Sequence, residues 1–186
     1  GYNFKNENNE AGGYIFFKNK NYSIAADIGI PPEKEFSKDY QSGALSFEFI
    51  SNKKKIICNS GYFQNYRHQL NLISKSTACH STLNIDNYSS VGFLKQSSGI
   101  NKTNSSLKIS NKKIVNQNDY WSFEASHNGY YKKFGILHHR KIEFFHKTAK
   151  LCGLDRIEKK SNFNSTNFEI RFHLDPSAKI MKTQDG

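Results

Sequence analysis

The side chains best able to hold a metal ion or move a proton are scattered through this sequence rather than set at a diagnostic spacing. It has seven histidines and three cysteines. No His-Glu-x-x-His run occurs, so no helix turn aims two imidazoles and a carboxylate at one ion. No Cys-x-x-Cys run occurs either, and Cys58, Cys79 and Cys152 cannot all pair within one chain, so a disulfide-independent protein with cysteines as small apolar fillers is expected. His80 lies between Cys79 and Ser81-Thr82, whose hydroxyls can fix which ring nitrogen carries the proton. His127 opens a His-Asn-Gly turn, while His138 and Arg140 stand two apart, which on a strand puts both on one face. The histidines could converge with His80 on one rim, although spacing does not establish it. His173, between Phe172 and Leu174, is expected to pack.

Strands must position these residues, because period-two alternation is the pattern that recurs. Leu45, Phe47 and Phe49 alternate with Ser46 and Glu48, and Trp121, Phe123 and Ala125 alternate with Ser122 and Glu124. The second pattern puts Trp121 in the core rather than on a sugar-stacking surface. Further strands are expected at residues 14–17, 22–28, 56–58, 83–85, 141–146, 156–159 and 168–174. Turn chemistry separates them: Gly12-Gly13, Pro31-Pro32, Asn128-Gly129 and Asp175-Pro176. Lys53-Lys54-Lys55 reads as a solvated hairpin tip, and the polar stretch 95–118, with weak strand signals at Leu107 to Ile109 and at Ile114-Val115, as a surface excursion or hairpin. The expected fold is all-β: an antiparallel β-sandwich of two stacked sheets, forming one domain over residues 1–186. No fixed-period repeat occurs, which removes propellers and solenoids.

No run of about eighteen apolar residues is present, and no charged-then-apolar leader opens the chain. The formal charge of +11 invites a polyanion partner. Almost all of it is lysine, with arginine only at positions 67, 140, 156 and 171, a balance that codon bias alone can produce. No ribonucleoprotein or zinc-finger signature supports nucleic acid as the partner. A chain that starts at Gly1 and has its only methionine at Met181 reads as a fragment of a longer protein.

Residues 41–90 carry a family resemblance. An alternating strand, a basic turn, a short apolar strand ending in Cys58-Asn59-Ser60-Gly61, and the segment Thr77-Ala78-Cys79-His80-Ser81-Thr82 follow in the order of the C-terminal β-sandwich domain of the heparinase II/III family of polysaccharide lyases. Asp27-Ile28-Gly29 with Pro31-Pro32, Ser126-His127-Asn128-Gly129-Tyr130, His138-His139-Arg140, Gly153-Leu154-Asp155 and Arg171-Phe172-His173-Leu174 with Pro176 extend the match over most of the chain. More strands follow in that family, so the sandwich is expected to be truncated at its C-terminal end.

The resemblance implies β-elimination on uronic-acid polysaccharides, in which a base takes a proton beside the carboxylate, an acid protonates the leaving oxygen and a cation or hydrogen bonds hold the developing charge. It also implies an α-helical toroid before the sandwich as the missing partner, so the fragment alone is expected to be inactive. The family's metal-binding positions correspond to Gln41, Asn59 and His80, with Asp39 at a neighbouring site position. Two neutral amides are poor donors, so a degenerate site without zinc, closed by hydrogen bonds, is expected. His80, His127, His138 and Arg140 are the expected contacts to an acidic polysaccharide, with pairing of Arg140 to Glu143 or Asp155 as the structural alternative. A non-catalytic module that binds acidic carbohydrate is the second functional reading.

Overall fold

In Tyr14-Ile15-Phe16-Phe17-Lys18 the strand period buries Ile15 and Phe17 and leaves the other three exposed, and the same rule builds both layers of the molecule. The computed structural model describes residues 9–95, 101–103, 106–160 and 167–181. In chain order, β1 (Glu10–Ala11), β2 (Tyr14–Lys18), β3 (Tyr22–Asp27), β4 (Phe47–Ser51) and β5 (Lys54–Cys58) come first. A short helix α1 (Gln69–Lys75) precedes β6 (Leu83–Ile85), β7 (Phe93–Lys95), β8 (Asn101–Thr103), β9 (Ile109–Gln117) and β10 (Tyr120–His127). Helix α2 (Tyr131–Phe134) leads into β11 (Ile136–Phe145), β12 (Lys150–Lys159), β13 (Phe168–Ile170) and β14 (His173–Leu174). A six-stranded sheet has the order β1-β2-β3-β4-β5-β14, and a four-stranded sheet the order β12-β11-β10-β9. The strand pairs in both are antiparallel.

The inward faces of the two sheets meet in one core. Ile15, Phe17, Ile24, Ala26, Phe47 and Phe49 from the first sheet pack against Trp121, Phe123, Ala125, Ile142 and Phe144 from the second. Trp121 stacks on Phe17 at 5.5 Å between ring centroids, and Phe144 sits within 4.8 Å of the Tyr22 ring and 5.4 Å of Phe49. Each such aromatic removes enough surface from water to contribute roughly 2–3 kcal/mol, which makes this contact the main cohesion between layers. A second cluster of Leu83, Ile85, Tyr130, Phe134 and Ile136 fastens the pair β6-β13 to one end.

At the other side of that core the inward positions turn polar. On β11, Ile142 and Phe144 give way to Arg140 and His138, both buried, although the strand period is unbroken. The Arg140 guanidinium makes a two-pronged pair with Asp155, Nε to Oδ1 at 2.7 Å and Nη2 to Oδ2 at 2.9 Å, the residue directly opposite on β12. Its Nη1 donates to the Leu45 carbonyl at 3.1 Å and the Ser81 carbonyl at 2.8 Å, in two loops that belong to the first sheet's side. His138 Nε2 bonds Asp155 Oδ1 at 2.6 Å, His127 Nε2 lies 3.0 Å from His138 Nδ1, and the Gly129 N–H donates to His127 Nδ1 at 3.1 Å. Read in that direction, every ring nitrogen is satisfied with both imidazoles neutral. Burial holds the pKa values of His127 and His138 below the usual range; the Asp155 bond works against that for His138 without overcoming it. Burial alone would raise the Asp155 carboxyl, but the His138 and Arg140 hydrogen bonds and the Arg140 charge outweigh it and bring the pKa down to about 2.

Two departures from the sequence expectation have physical causes. Residues 109–117, expected within a surface excursion, form the nine-residue strand β9, because Ile109 and Ile114 pack against the core while lysines fill the exposed positions. Residues 96–100 and 104–105 of that stretch lie outside the described residues. The expected strand at 168–174 divides into β13 and β14, which join different sheets.

Replacing Asp155 with Asn removes the only carboxylate bonded to a buried guanidinium. The expected loss is about 3–5 kcal/mol in urea unfolding at neutral pH, and an unchanged midpoint would refute the tie. Because the unfolded chain protonates its histidines near pH 6.5 while native His127 and His138 resist, these two residues make stability fall as pH drops below about 6.5. Asp155 adds its own loss only below about pH 4.

Candidate functional site

The outward face of the first sheet carries the site, and the loop before β4 builds its wall. Lys75, at the end of α1, packs against that loop and is fully buried; its Nζ bonds the Lys38 carbonyl and lies 5.7 Å from the Tyr62 ring centre. The Lys75 carbonyl accepts the Ser42 N–H at 2.8 Å, so one helical residue grips the loop at both 38 and 42. Next to that grip, the hydroxyls of Ser42, Thr77 and Ser90 close a buried triangle with sides of 2.9, 3.0 and 3.2 Å. Leu45 then turns the chain into β4 with φ of 61°, a strained backbone for a branched side chain that persists because its neighbours determine it. Its N–H donates to the Asp27 carbonyl at 2.8 Å and its carbonyl accepts from Arg140.

Gln41, Asn59 and His80 line a single cavity of about 400 Å³ together with Tyr14, Asp27, Glu48 and Tyr62. His80 is 4 % exposed and rests on Gly43, where an added Cβ would stand 2.7 Å from its Cδ2; glycine is what lets the loop press onto the ring. The ring bonds the Ser76 carbonyl through Nδ1 at 2.8 Å, so Nδ1 carries the proton and Nε2 keeps its lone pair toward the cavity. Gln41 Oε1 stands 3.3 Å from that Nε2, and because an amide oxygen only accepts, the pair closes as a hydrogen bond with the carboxamide turned over to present its NH₂ end. Asn59 is committed elsewhere: its Oδ1 accepts the Ser81 N–H at 2.9 Å, and its own N–H donates to Glu48 at 3.1 Å. Burial keeps His80 below the ordinary imidazole pKa.

Such a donor set does not fit zinc. One imidazole and two engaged amides converge, and among the described residues no three His, Cys, Asp or Glu side chains are placed to hold a metal ion. The adjoining recess is apolar, lined by Tyr62, Phe63, Leu70, Ile73 and Cys79, and meets the cavity at Gly61 and Tyr62. Cys58, Cys79 and Cys152 are free and half-buried rather than enclosed in the core.

Of the residues expected to face an acidic sugar, His80 alone reaches the cavity. His127, His138 and Arg140 are each no more than 1 % exposed, and their polar atoms serve the interior network around Asp155. They share the inward face of the second sheet with Phe123 and Ile142, so a direct sugar contact by these three is corrected to a structural role. Of the two ion-pair partners expected for Arg140 in a structural role, Asp155 is the one it takes, while the Glu143 carboxylate takes Lys141 and the Tyr120 hydroxyl. His173 bonds the Ala78 carbonyl through Nε2 at 2.9 Å, and so braces the His80 segment.

Asp27, Glu48 and Lys75 are site components that reading the sequence missed. The Asp27-Ile28-Gly29 turn and the Leu45–Phe49 alternation, which points Glu48 outward, were the available signals; for Lys75 there was none. The Asp27 carboxylate accepts the Gly29 N–H at 3.0 Å, yet burial pushes its pKa up to about 7 against that bond and the Lys112 charge. A raised carboxyl pKa contributes stability that is full below about pH 4 and disappears as pH climbs through 7. Asp27→Asn should therefore gain on the wild type between about pH 4 and 7, by on the order of 4 kcal/mol at the upper plateau. Urea titrations at both ends of that window check it, and a difference independent of pH would refute it.

Comparison with known proteins adds identity to this geometry. Two crystal structures of heparan sulfate lyase HepC from Pedobacter heparinus, one of them a mutant, superpose with a TM-score of 0.63 at 19 % identity, covering 88 % of this chain and 23 % of theirs. The heparinase III-BT4657 gene product superposes with a TM-score of 0.67 at 15 % identity, covering 93 % of this chain and 24 % of its own. At these identities the likeness is one of fold. The chain spans about a quarter of the length of those structures. No curated protein matches it. The family described as "Heparinase II/III-like, C-terminal" matches residues 6–186, nearly the whole length over which the two sheets and their cavity are built, and the chain belongs to that family.

Proposed function

We propose that this chain is the β-sandwich domain of a longer polysaccharide lyase, that it forms one wall of the sugar cleft through the cavity around His80, and that it is inactive alone. The observation that carries this reading is the cavity itself, on the outward face of the six-stranded sheet in a chain of this family. The structural neighbours include heparan sulfate lyases, which supports an acidic, uronic-acid polysaccharide as the substrate of the longer protein.

The cavity's chemistry supports a limited share in the reaction. β-Elimination needs a base, an acid and something that holds the negative charge growing on the uronate. Neutral His80 and the hydroxyls of Tyr14 and Tyr62 can bond sugar hydroxyls, but Glu48 and the fraction of Asp27 ionised at neutral pH bring negative charge, and among the described residues no lysine or arginine lines the wall. A carboxylate placed here would meet no counter-charge, so the cation must come from the rest of the longer protein, in our reading a preceding α-helical domain. Tyr14 and Phe16, nearly half exposed beside the cavity, give such a domain an apolar surface to cover. The same lack of cations argues against an independent module for acidic carbohydrate.

Unsaturated product from heparan sulfate, followed by ultraviolet absorbance, tests the reading. The 186-residue chain should give none and the longer protein should turn over, with His80→Ala in the longer protein lowering kcat/KM about tenfold to a hundredfold through misplacement of substrate. Elimination by the chain alone, or a longer protein without activity on any uronic-acid polysaccharide, would overturn it. Tight binding of a heparan sulfate oligosaccharide by the isolated chain in calorimetry would favour the binding-module reading instead.

A further inference from the structure

The two main sheets end in four strand edges, and three of them are blunted. The first sheet closes on β1 and β14, two residues each, too short to template another strand. On the second sheet β9 is interrupted by a register shift opposite Glu124 and Ser126, with Asn111 at φ 54° and Lys112 and Lys113 beside it. β12 carries charged residues, with Lys150, Arg156, Glu158 and Lys159 along it, but it is neither short nor interrupted by a register shift. It runs ten residues in unbroken register with β11, contains no proline, and along residues 150–158 no described strand pairs with its other side. At its middle Leu154 is 63 % exposed.

We propose that β12 is a self-association edge: a second copy of this chain pairs with it antiparallel, centred on Leu154, and joins the two four-stranded sheets into one continuous sheet. The residue pattern selects that register. Lys150, Cys152, Leu154, Arg156 and Glu158 lie on the outward face, since Asp155 faces inward with Arg140. For both cores to lie on the same side of a shared sheet, outward residues must meet outward residues, which restricts the centre of symmetry to a residue rather than a gap between two. Centring on Leu154 brings the two leucines together and sets Lys150 opposite Glu158 of the second copy, twice by symmetry. Centring on Asp155 would place two carboxylates face to face, and centring on Gly153 would oppose Lys150 to Arg156. Both carry like charges into direct opposition.

The side chains are placed to make those contacts. The Glu158 carboxylate is 51 % exposed, and its one ionic neighbour is His139 Nε2 at 3.2 Å. Gly153 owes its lack of a side chain to its own sheet, where a Cβ would stand 3.2 Å from Ile142 Cδ1, so the register does not depend on it. One strand pair is a small interface, so the association is weak and concentration-dependent.

Sedimentation velocity on the 186-residue chain, with its strand content checked by far-ultraviolet circular dichroism, tests this directly. The mass should double, about twofold, as concentration rises into the range of roughly 100 µM. Lys150→Glu should abolish the dimer, and adding Glu158→Lys should restore it. In a Cys152→Ser background, Leu154→Cys should give on oxidation a covalent dimer linked through position 154, located by peptide mass spectrometry. A folded chain that stays monomeric throughout, or a dimer indifferent to Lys150→Glu and not linked through 154, would overturn the proposal.

Discussion

A single guanidinium, buried in the half of the sandwich where the core turns polar, constrains more of this structure than any apolar contact. Arg140 brings three parts of the chain to one point: β12 through Asp155, the turn into β4 through the Leu45 carbonyl, and the segment after His80 through the Ser81 carbonyl. Two of those parts are the walls that hold Gln41 and His80. A buried guanidinium tolerates few substitutes, because each N–H it carries must find an acceptor or lose its hydration without return. Hydrophobic contact would hold the sheets together at any of several offsets; the planar fork of Arg140 accepts only one.

From that point the division of labour among polar residues follows. The inward-facing His127, His138 and Asp155 form a chain in which each nitrogen has one role, and burial keeps the imidazoles uncharged. The outward-facing His80 and Glu48, with Asp27 and the amides of Gln41 and Asn59, form a cavity with no lysine or arginine among its described lining residues. Two histidine sites, one on each side of the first sheet's loops, thus have opposite accessibility although their residues look alike in sequence. The strained backbone at Leu45 lies between them and is held from both: Asp27 on the cavity side, Arg140 on the interior side.

The alternation rule recovered most strands because burying one face of a pleated sheet forces apolar residues to every second position. It identified the core roles of Phe47, Phe49, Trp121 and Phe123 and the outward direction of Glu48. At β9 it gave only weak signals, at Ile109 and at Ile114-Val115, because lysines and asparagines hide the pattern of an edge strand whose outer face is solvated. It failed for Arg140 and His138, since the rule states which residues share a face and not whether that face looks toward solvent or core.

By itself, the sequence determined a strand-built chain with a heparinase II/III-like order of motifs, and His80 as the imidazole most worth following. Those are local properties, written in period, turn residues and short runs. The family resemblance already put Gln41, Asn59 and His80 at one spot; only the tertiary structure decided that Asp27 and Glu48 join them there and that His127, His138 and Arg140 lie behind the wall. The physical reason is that burial, charge compensation and hydrogen-bond satisfaction are settled between residues tens of positions apart. Period and turn residues, read one stretch at a time, do not link the members of such a pair.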